Sequence, residues 1–248
     1  MMRPRPDLPP ALVRPLARLC DDLRQIFAER LLALVAHGPR VRHPDAAGAG
    51  ALPVSTLALV DGLSYQDLHA CAQRAQGWRA DGVAVPLLLG AAEFARSLDT
   101  FPVEYGDIIA HHVLVFGRDP FEGLRVPEED LRRACEAWAK GILIQLREGF
   151  IEAGGDARRV AALIAASAPP FAALLAHVAR LRGIATPGVD GLLEAAAGIP
   201  GLSAHVVARV AALEARPALD ADTAASLLPA YLDAVDAIAR DLDARTSR

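Results

Sequence analysis

A chain of 248 residues, 53% of them hydrophobic, is long enough to bury one large core or two modest ones without disulfides or metals. Its net charge of -4 and pI near 6.0 exclude a general nucleic-acid binder, which carries a basic excess. Cys20, Cys71 and Cys135 are far apart and odd in number, which fits reduced, buried small hydrophobes of a cytoplasmic protein and not a disulfide framework or a metal site.

Residues 1–10 hold no apolar core, so they are not expected to form a signal peptide. No apolar run is expected to cross a bilayer: the best, residues 160–179, is broken by Pro169-Pro170 and contains His177. A helix is predicted over residues 11–29, where Leu12, Leu16, Leu23 and Phe27 recur at helical spacing and Pro15 makes the start ragged. Residues 31–36, LLALVA, stop at His37-Gly38-Pro39 and fit either a continued helix or a buried strand. Residues 43–53 read as a loop. Residues 55–60, STLALV, are apolar on both faces and predict a central strand.

Ser64-Tyr65-Gln66-Asp67 has the form of a capping box opening a helix to about Ala80, with Leu68, Cys71, Ala72 and Ala75 on one side. A strand over 84–89, a short helix over 91–98 and a further strand over 101–108 follow. That last strand opens the segment 101–124, FPVEYGDIIAHHVLVFGRDPFEGL, which ends in a Gly-Arg-Asp-Pro turn. From Pro127 onward only helices are expected. The first carries Leu131, Cys135, Trp138, Ile142, Leu146 and Phe150 on one face, charges including Arg132 on the other, and Gly154-Gly155 at its end. Later helices are predicted over 158–166, 171–181, 189–197, 203–215 and 220–244. Their joints are Pro169-Pro170, Thr186-Pro187-Gly188, Pro200-Gly201 and Pro217.

Several motifs stand in one order: Trp78-Arg79, Val85-Pro86-Leu87-Leu88, Phe101-Pro102-Val103-Glu104 and Phe116-Gly117-Arg118-Asp119-Pro120. With them, residues 78–155 resemble a group of bacterial nucleotidyltransferase-like proteins, and a weaker match at 31–60 extends the likeness over most of residues 10–155. The resemblance implies the fold of the DNA polymerase β-like nucleotidyltransferases. Active members of that superfamily carry Gly-Ser after the first strand, Asp-x-Asp entering the second and a third acidic residue on a later strand. Together these hold two magnesium ions against a triphosphate, because hard cations need several carboxylate oxygens close together.

Carried over residue by residue, the Gly-Ser position falls on Gly38-Pro39, where proline offers neither hydroxyl nor N–H. The Asp-x-Asp position falls near residues 54–57 and holds no carboxylate, only the hydroxyls of Ser55 and Thr56. Asp45 lies earlier in the loop and Asp61 at the far end of the strand. The third acidic position matches Glu104, either a relic ligand or a polar residue on a solvated strand edge. One carboxylate of three does not assemble a two-metal site.

Other residues invite chemistry less. His111 and His112 are adjacent and point apart, so the pair chelates no single ion, and one exposed and one packed ring is expected. Asp119 suits a turn and Asp107 a helix cap. Arg40, Arg42 and His43 form a small basic cluster that either binds an anion or is simply solvated. Trp78 and Trp138 are expected as core or interface anchors. No Walker, Rossmann or Gly-x-Ser-x-Gly motif is present.

The expected fold class is α+β: a small mixed sheet flanked by helices, nucleotidyltransferase-like, in residues 1–125, then an α-helical bundle in residues 126–248. The function expected is a catalytically degenerate nucleotidyltransferase-like protein. It would have no catalytic residues, no metal and no cofactor, and would bind a nucleotide, a small anionic ligand or a protein partner in the cytoplasm. Gly38, Arg40, Ser55 and Glu104 are expected to line a cleft between sheet and bundle. Two alternatives stand beside this. One is an active transferase with a metal site rebuilt from Glu104, Asp107 and Asp61. The other is a homodimeric scaffold, which an uncovered apolar stripe on residues 206–213 or 227–238 would favour. No nucleic acid and no membrane are expected as partners.

Overall fold

The structure is a computed structural model and describes residues 8–42, 52–184, 188–216 and 218–245. Asp45 and His43, part of the expected loop, and the expected joints Thr186-Pro187 and Pro217 lie outside the described residues. The chain divides into two compact units, Met1–Val126 and Pro127–Arg248.

The first unit opens with α1 (Pro10–Phe27), whose buried stripe is Leu12, Leu16, Leu19, Cys20, Leu23 and Phe27. Pro15 lies inside this helix. The ambiguous run becomes a strand, β1 (Leu31–His37), followed by one turn of helix, α2 (Pro39–Arg42). β2 (Ser55–Val60) leads to α3 (Tyr65–Ala80), which is started by the expected reciprocal cap between Ser64 and Asp67. The buried side of α3 is Asp67, Cys71 and Trp78, whereas Leu68 is exposed. β3 (Leu87–Gly90) begins three residues later than the expected strand, after Pro86, which cannot donate to a ladder. α4 (Ala91–Phe94) is shorter than predicted and gives way to turns.

The segment after it corrects the sequence expectation. Residues 101–108 are not a strand: Pro102–Ala110 is a helix, α5, with Pro102 in its first turn. Proline is preset for that position. The buried residues Pro102, Tyr105 and Ile108 recur every three positions, a helical period that the β-rich composition concealed. Asp107 is therefore inside a helix and not at the start of one. The strand comes next, as β4 (His112–Gly117).

The sheet order is β3-β2-β1-β4, with β1 antiparallel to both neighbours and β2 parallel to β3. This is the small mixed sheet flanked by helices that was expected, with β2 central. Alternation sorts its side chains to two cores. Leu34, Ala36, Ala58 and Val60 pack with Leu16, Leu19, Leu23 and Trp78 from α1 and α3. Ala33, Val35, Leu57 and Leu59 pack on the other face with Phe94, Tyr105, Ile108 and Phe121. Edge-to-face contacts join Phe94 to Tyr105 at 5.5 Å and to Phe121 at 5.6 Å.

The second unit is all helix: α6 (Glu128–Ala153), α7 (Ala157–Leu181), α8 (Gly188–Ala197), α9 (Ala204–Ala215) and α10 (Ala221–Ala244). Along α6, Leu131, Cys135, Ile142 and Leu146 are buried as expected, but Phe150 is exposed. Arg132, assigned to the solvated face, is buried and donates to Glu129, Glu136 and the Leu242 carbonyl. α7 is also a correction: it runs unbroken through Pro169-Pro170. Each proline removes an N–H and costs roughly 3 kcal/mol in an unsupported helix. Here Ala168, Phe171, Leu174 and Leu175 are fully buried around them. Phe171 meets Tyr231 of α10 edge-to-face at 5.0 Å, and the Tyr231 hydroxyl donates to the Ser167 carbonyl. Burial on this scale outweighs the local cost. Made continuous, α7 is long and apolar enough to cross a membrane by length and composition, yet half of its most apolar window is buried. The stripes on α9 and α10 are likewise covered: Val206, Val207, Val210, Leu227, Tyr231, Val235 and Ile238 are all buried. The observation that would have favoured a scaffold is thus not met.

Candidate functional site

The carboxyl end of β1 gathers the residues of interest. Antiparallel pairing sets His37 opposite Ser55 at the start of β2 and opposite His112 at the start of β4. By alternation His37 continues the Ala33-Val35 set and Ser55 the Leu57-Leu59 set, so both face the α4–α5 side. Gly38 follows at φ +87, a backbone that glycine tolerates, and a Cβ there would stand 3.4 Å from Ser55 Oγ. Arg40 Nη1 donates to the Gly82 carbonyl at 3.2 Å, and the same oxygen accepts the Val54 N–H beside Ser55. Gly38, Arg40 and Ser55 are therefore grouped at the entrance of β2.

Glu104 does not join them. It is exposed in the first turn of α5 and shares no hydrogen bond or ion pair with the other three. Its match to an acidic strand position fails because the residue is helical. The rebuilt metal site fails on geometry as well. Val60 pairs with Leu31 at the start of β1, and the Asp61 N–H donates to the Arg30 carbonyl. Asp107 acts on His37, at the opposite end of that strand. A strand of this length separates the two by roughly 20 Å. Among the described residues no three His, Cys, Asp or Glu side chains are placed to hold one ion.

The entrance of β2 does not fit magnesium. Leu57 is completely buried in the aromatic cluster, and Thr56 is buried on the opposite face with no partner for its Oγ1 among the described residues. A hard cation needs several solvated or preset oxygens, and this segment offers one hydroxyl on the relevant face.

Sequence reasoning missed the histidine row. His37 is half-buried; burial pushes its pKa down, Asp107 partly opposes this, and His112 adds to it. His112 is packed and His111 exposed, as expected of adjacent residues. His112 Nδ1 lies 2.9 Å from the Ile108 carbonyl and 3.2 Å from that of Ile109. Its Nε2 lies 3.2 Å from each oxygen of Asp119. Asp119 is the expected turn residue: its Oδ1 accepts the Phe121 N–H at 2.8 Å, and the Phe121 ring meets His112 edge-on at 4.8 Å. Nothing local in sequence links His37 to His112; only the strand register does.

The four-stranded mixed sheet flanked by helices, followed in sequence by a helical bundle, is nucleotidyltransferase-like in fold by its likeness to a solved structure. The chain is similar to a solved structure of the spectinomycin adenyltransferase AAD(9) from Enterococcus faecialis, determined with ATP and spectinomycin. The TM-score is 0.54 at 11% identity, covering 91% of this chain and 98% of that one. At that identity the likeness concerns the fold alone. No family model matches the chain, and no curated protein matches it in sequence.

Proposed function

We propose that the chain is a cytoplasmic, catalytically degenerate nucleotidyltransferase-like protein whose retained role is to bind a nucleotide or another small anionic ligand. The observation that carries this is the entrance of β2. Where two-metal chemistry in this fold needs paired carboxylates, the chain has Ser55, a buried Thr56 and a buried Leu57. Gly38, Arg40 and Ser55 line the candidate site beside that entrance, and Arg40 supplies its cation. The fold neighbour was solved with ATP, which makes nucleoside triphosphates the first ligands to test.

The test is calorimetric titration of the full chain with each nucleoside triphosphate, with and without magnesium. The expected result is binding that does not require magnesium and weakens in Arg40→Ala. Magnesium-dependent binding lost in Glu104→Ala, or transfer of a nucleotidyl group to any acceptor, would overturn the degenerate reading. No heat with any nucleotide would leave a protein partner as the retained role.

A further inference from the structure

Among the described residues of the second unit, every exposed large apolar side chain except Val189 is on α6. Ile144 and Ile151 are 53% and 76% exposed. They lie two helical turns apart and so stand in line on one face, which Ala137 and Gly141 continue toward the amino end. Gly141 has no reason within the chain to be glycine. It sits mid-helix, where glycine is a poor helix former, and a Cβ there would meet nothing within 4 Å. Gly149 of the same helix differs: a Cβ there would stand 2.6 Å from Leu163 Cδ1, so its bare backbone lets α7 approach. A bare backbone on an open face serves a neighbour from outside the chain, because helix axes come closest over small residues.

Charge identifies that neighbour. Arg133, Lys140 and Arg147 recur every seventh residue along one flank of this face, and Glu148 and Glu152 lie toward the other. Arg133 and Lys140 pair within the helix, with Asp130 and Glu136. Arg147, Glu148 and Glu152 are exposed and in no ion pair among the described residues. A face with cations on one flank and carboxylates on the other complements itself when two copies run parallel: Arg147 of each copy then meets the partner's Glu148 and the partner's Glu152, twice by symmetry. An antiparallel pairing would instead set Lys140 and Arg147 against the same two cations of the other copy. We propose that the chain forms a two-fold homodimer through this face of α6, with the two helices parallel, closest at Gly141, and Ile144 and Ile151 desolvated between them. Residues 133–152 span about 30 Å, and one helix face buries less than the roughly 800 Å² per partner of a standard interface, so the dimer is a weak one. It requires no nucleotide.

The test is sedimentation velocity of the full chain, without nucleotide, from about 2 to 500 µM, a range that brackets a micromolar dissociation constant. A concentration-dependent shift from monomer to dimer is expected. Ile144→Ser and Ile151→Ser, at exposed positions, should each weaken association by about tenfold or more while circular dichroism stays that of the parent chain. Arg147→Glu should weaken it as well, and Arg147→Glu combined with Glu152→Arg should restore it. Gly141→Ala separates an interface from a merely exposed face: it should raise the melting temperature of the dilute monomer, because alanine is the better helix former, and yet weaken the dimer. A monomer throughout the concentration range, or a dimer indifferent to both isoleucine changes, would overturn the proposal. A dimer weakened by Arg147→Glu and not restored by the exchange would overturn the parallel pairing. Because no nucleotide is present, any of these failures leaves the proposed function standing, and a failed nucleotide titration leaves the dimer standing.

Discussion

Replacing Gly117 by alanine should unfold the sheet unit far more readily than the same change at Gly123. Both glycines have left-handed backbones, φ +79 and φ +77, so a side chain at either costs about 1–2 kcal/mol in backbone strain. They differ in what a Cβ would meet. At Gly123 nothing lies within 4 Å, whereas at Gly117 the new carbon would stand 2.0 Å from the Leu32 carbonyl oxygen and 2.9 Å from its carbon. Backbone cannot rotate away as a side chain can. β1 and β4 must separate by about 1 Å or more where Gly117 pairs with Ala33, and each ladder hydrogen bond weakened there loses about 0.5–1.5 kcal/mol. Gly117→Ala should therefore cost at least about 3 kcal/mol, and Gly123→Ala no more than about 2. The assay is urea denaturation followed by tryptophan fluorescence in a Trp138→Phe background, which leaves Trp78 to report on the sheet unit. Equal costs at the two glycines would refute the close-approach argument.

The Asp67 carboxylate should stabilise the first unit in a pH-dependent way. Hydrogen bonds from Arg30 at 2.7 and 2.9 Å, and from Ser64, hold its pKa well below the usual carboxylate range. The folded state thus binds fewer protons than the unfolded one, so this stability is complete above pH about 4 and is lost as pH falls below it. Asp67→Ala should cost about 1 kcal/mol through the lost cap alone, more with the ion pair, and its melting curve should approach that of the parent chain between pH 4 and 2. In the second unit, Pro170→Ala restores the N–H that the Ala166 carbonyl lacks. It should raise stability to denaturant by up to about 3 kcal/mol, less the unfolded-chain entropy that proline removes. A loss of stability would mean that the proline ring itself fills the core.

Much of the fold was legible because its elements carry periodic or capping information. α1 shows itself in Leu12, Leu16, Leu23 and Phe27, α3 in the Ser64–Asp67 cap, and β2 in an apolar run with no solvated face. The failures have physical causes. α5 holds valine, tyrosine and two isoleucines, residues that favour strands, and only their burial at every third position makes it a helix. α7 contains two prolines that break a helix taken alone and are overridden by its packing. The candidate site was legible where it is local, as with Gly38 beside its strand end. It was not legible where it depends on pairing, since no sequence pattern states that His37 lies opposite His112. Glu104 was misplaced because its strand was misassigned.

The motifs that carry the nucleotidyltransferase-like resemblance turn out to hold the fold. Pro102 starts α5, Tyr105 fills the aromatic cluster, Gly117 permits the close approach of β1, and Asp119 ties β4 to the next turn. None of these needs a metal or a nucleotide in order to be retained. The carboxylates of the second strand have the opposite status: they serve chemistry alone, and an apolar residue in their place can be packed. Leu57 is packed, with no exposed surface and with Phe94, Tyr105 and Phe121 in the same core cluster. An aspartate at position 57 would bury an unpaired carboxylate in that cluster, at a cost of several kcal/mol. On the proposed degenerate reading, packing at position 57 thus opposes a carboxylate there, and a ligand at this end of the sheet would meet the residues beside it that face solvent.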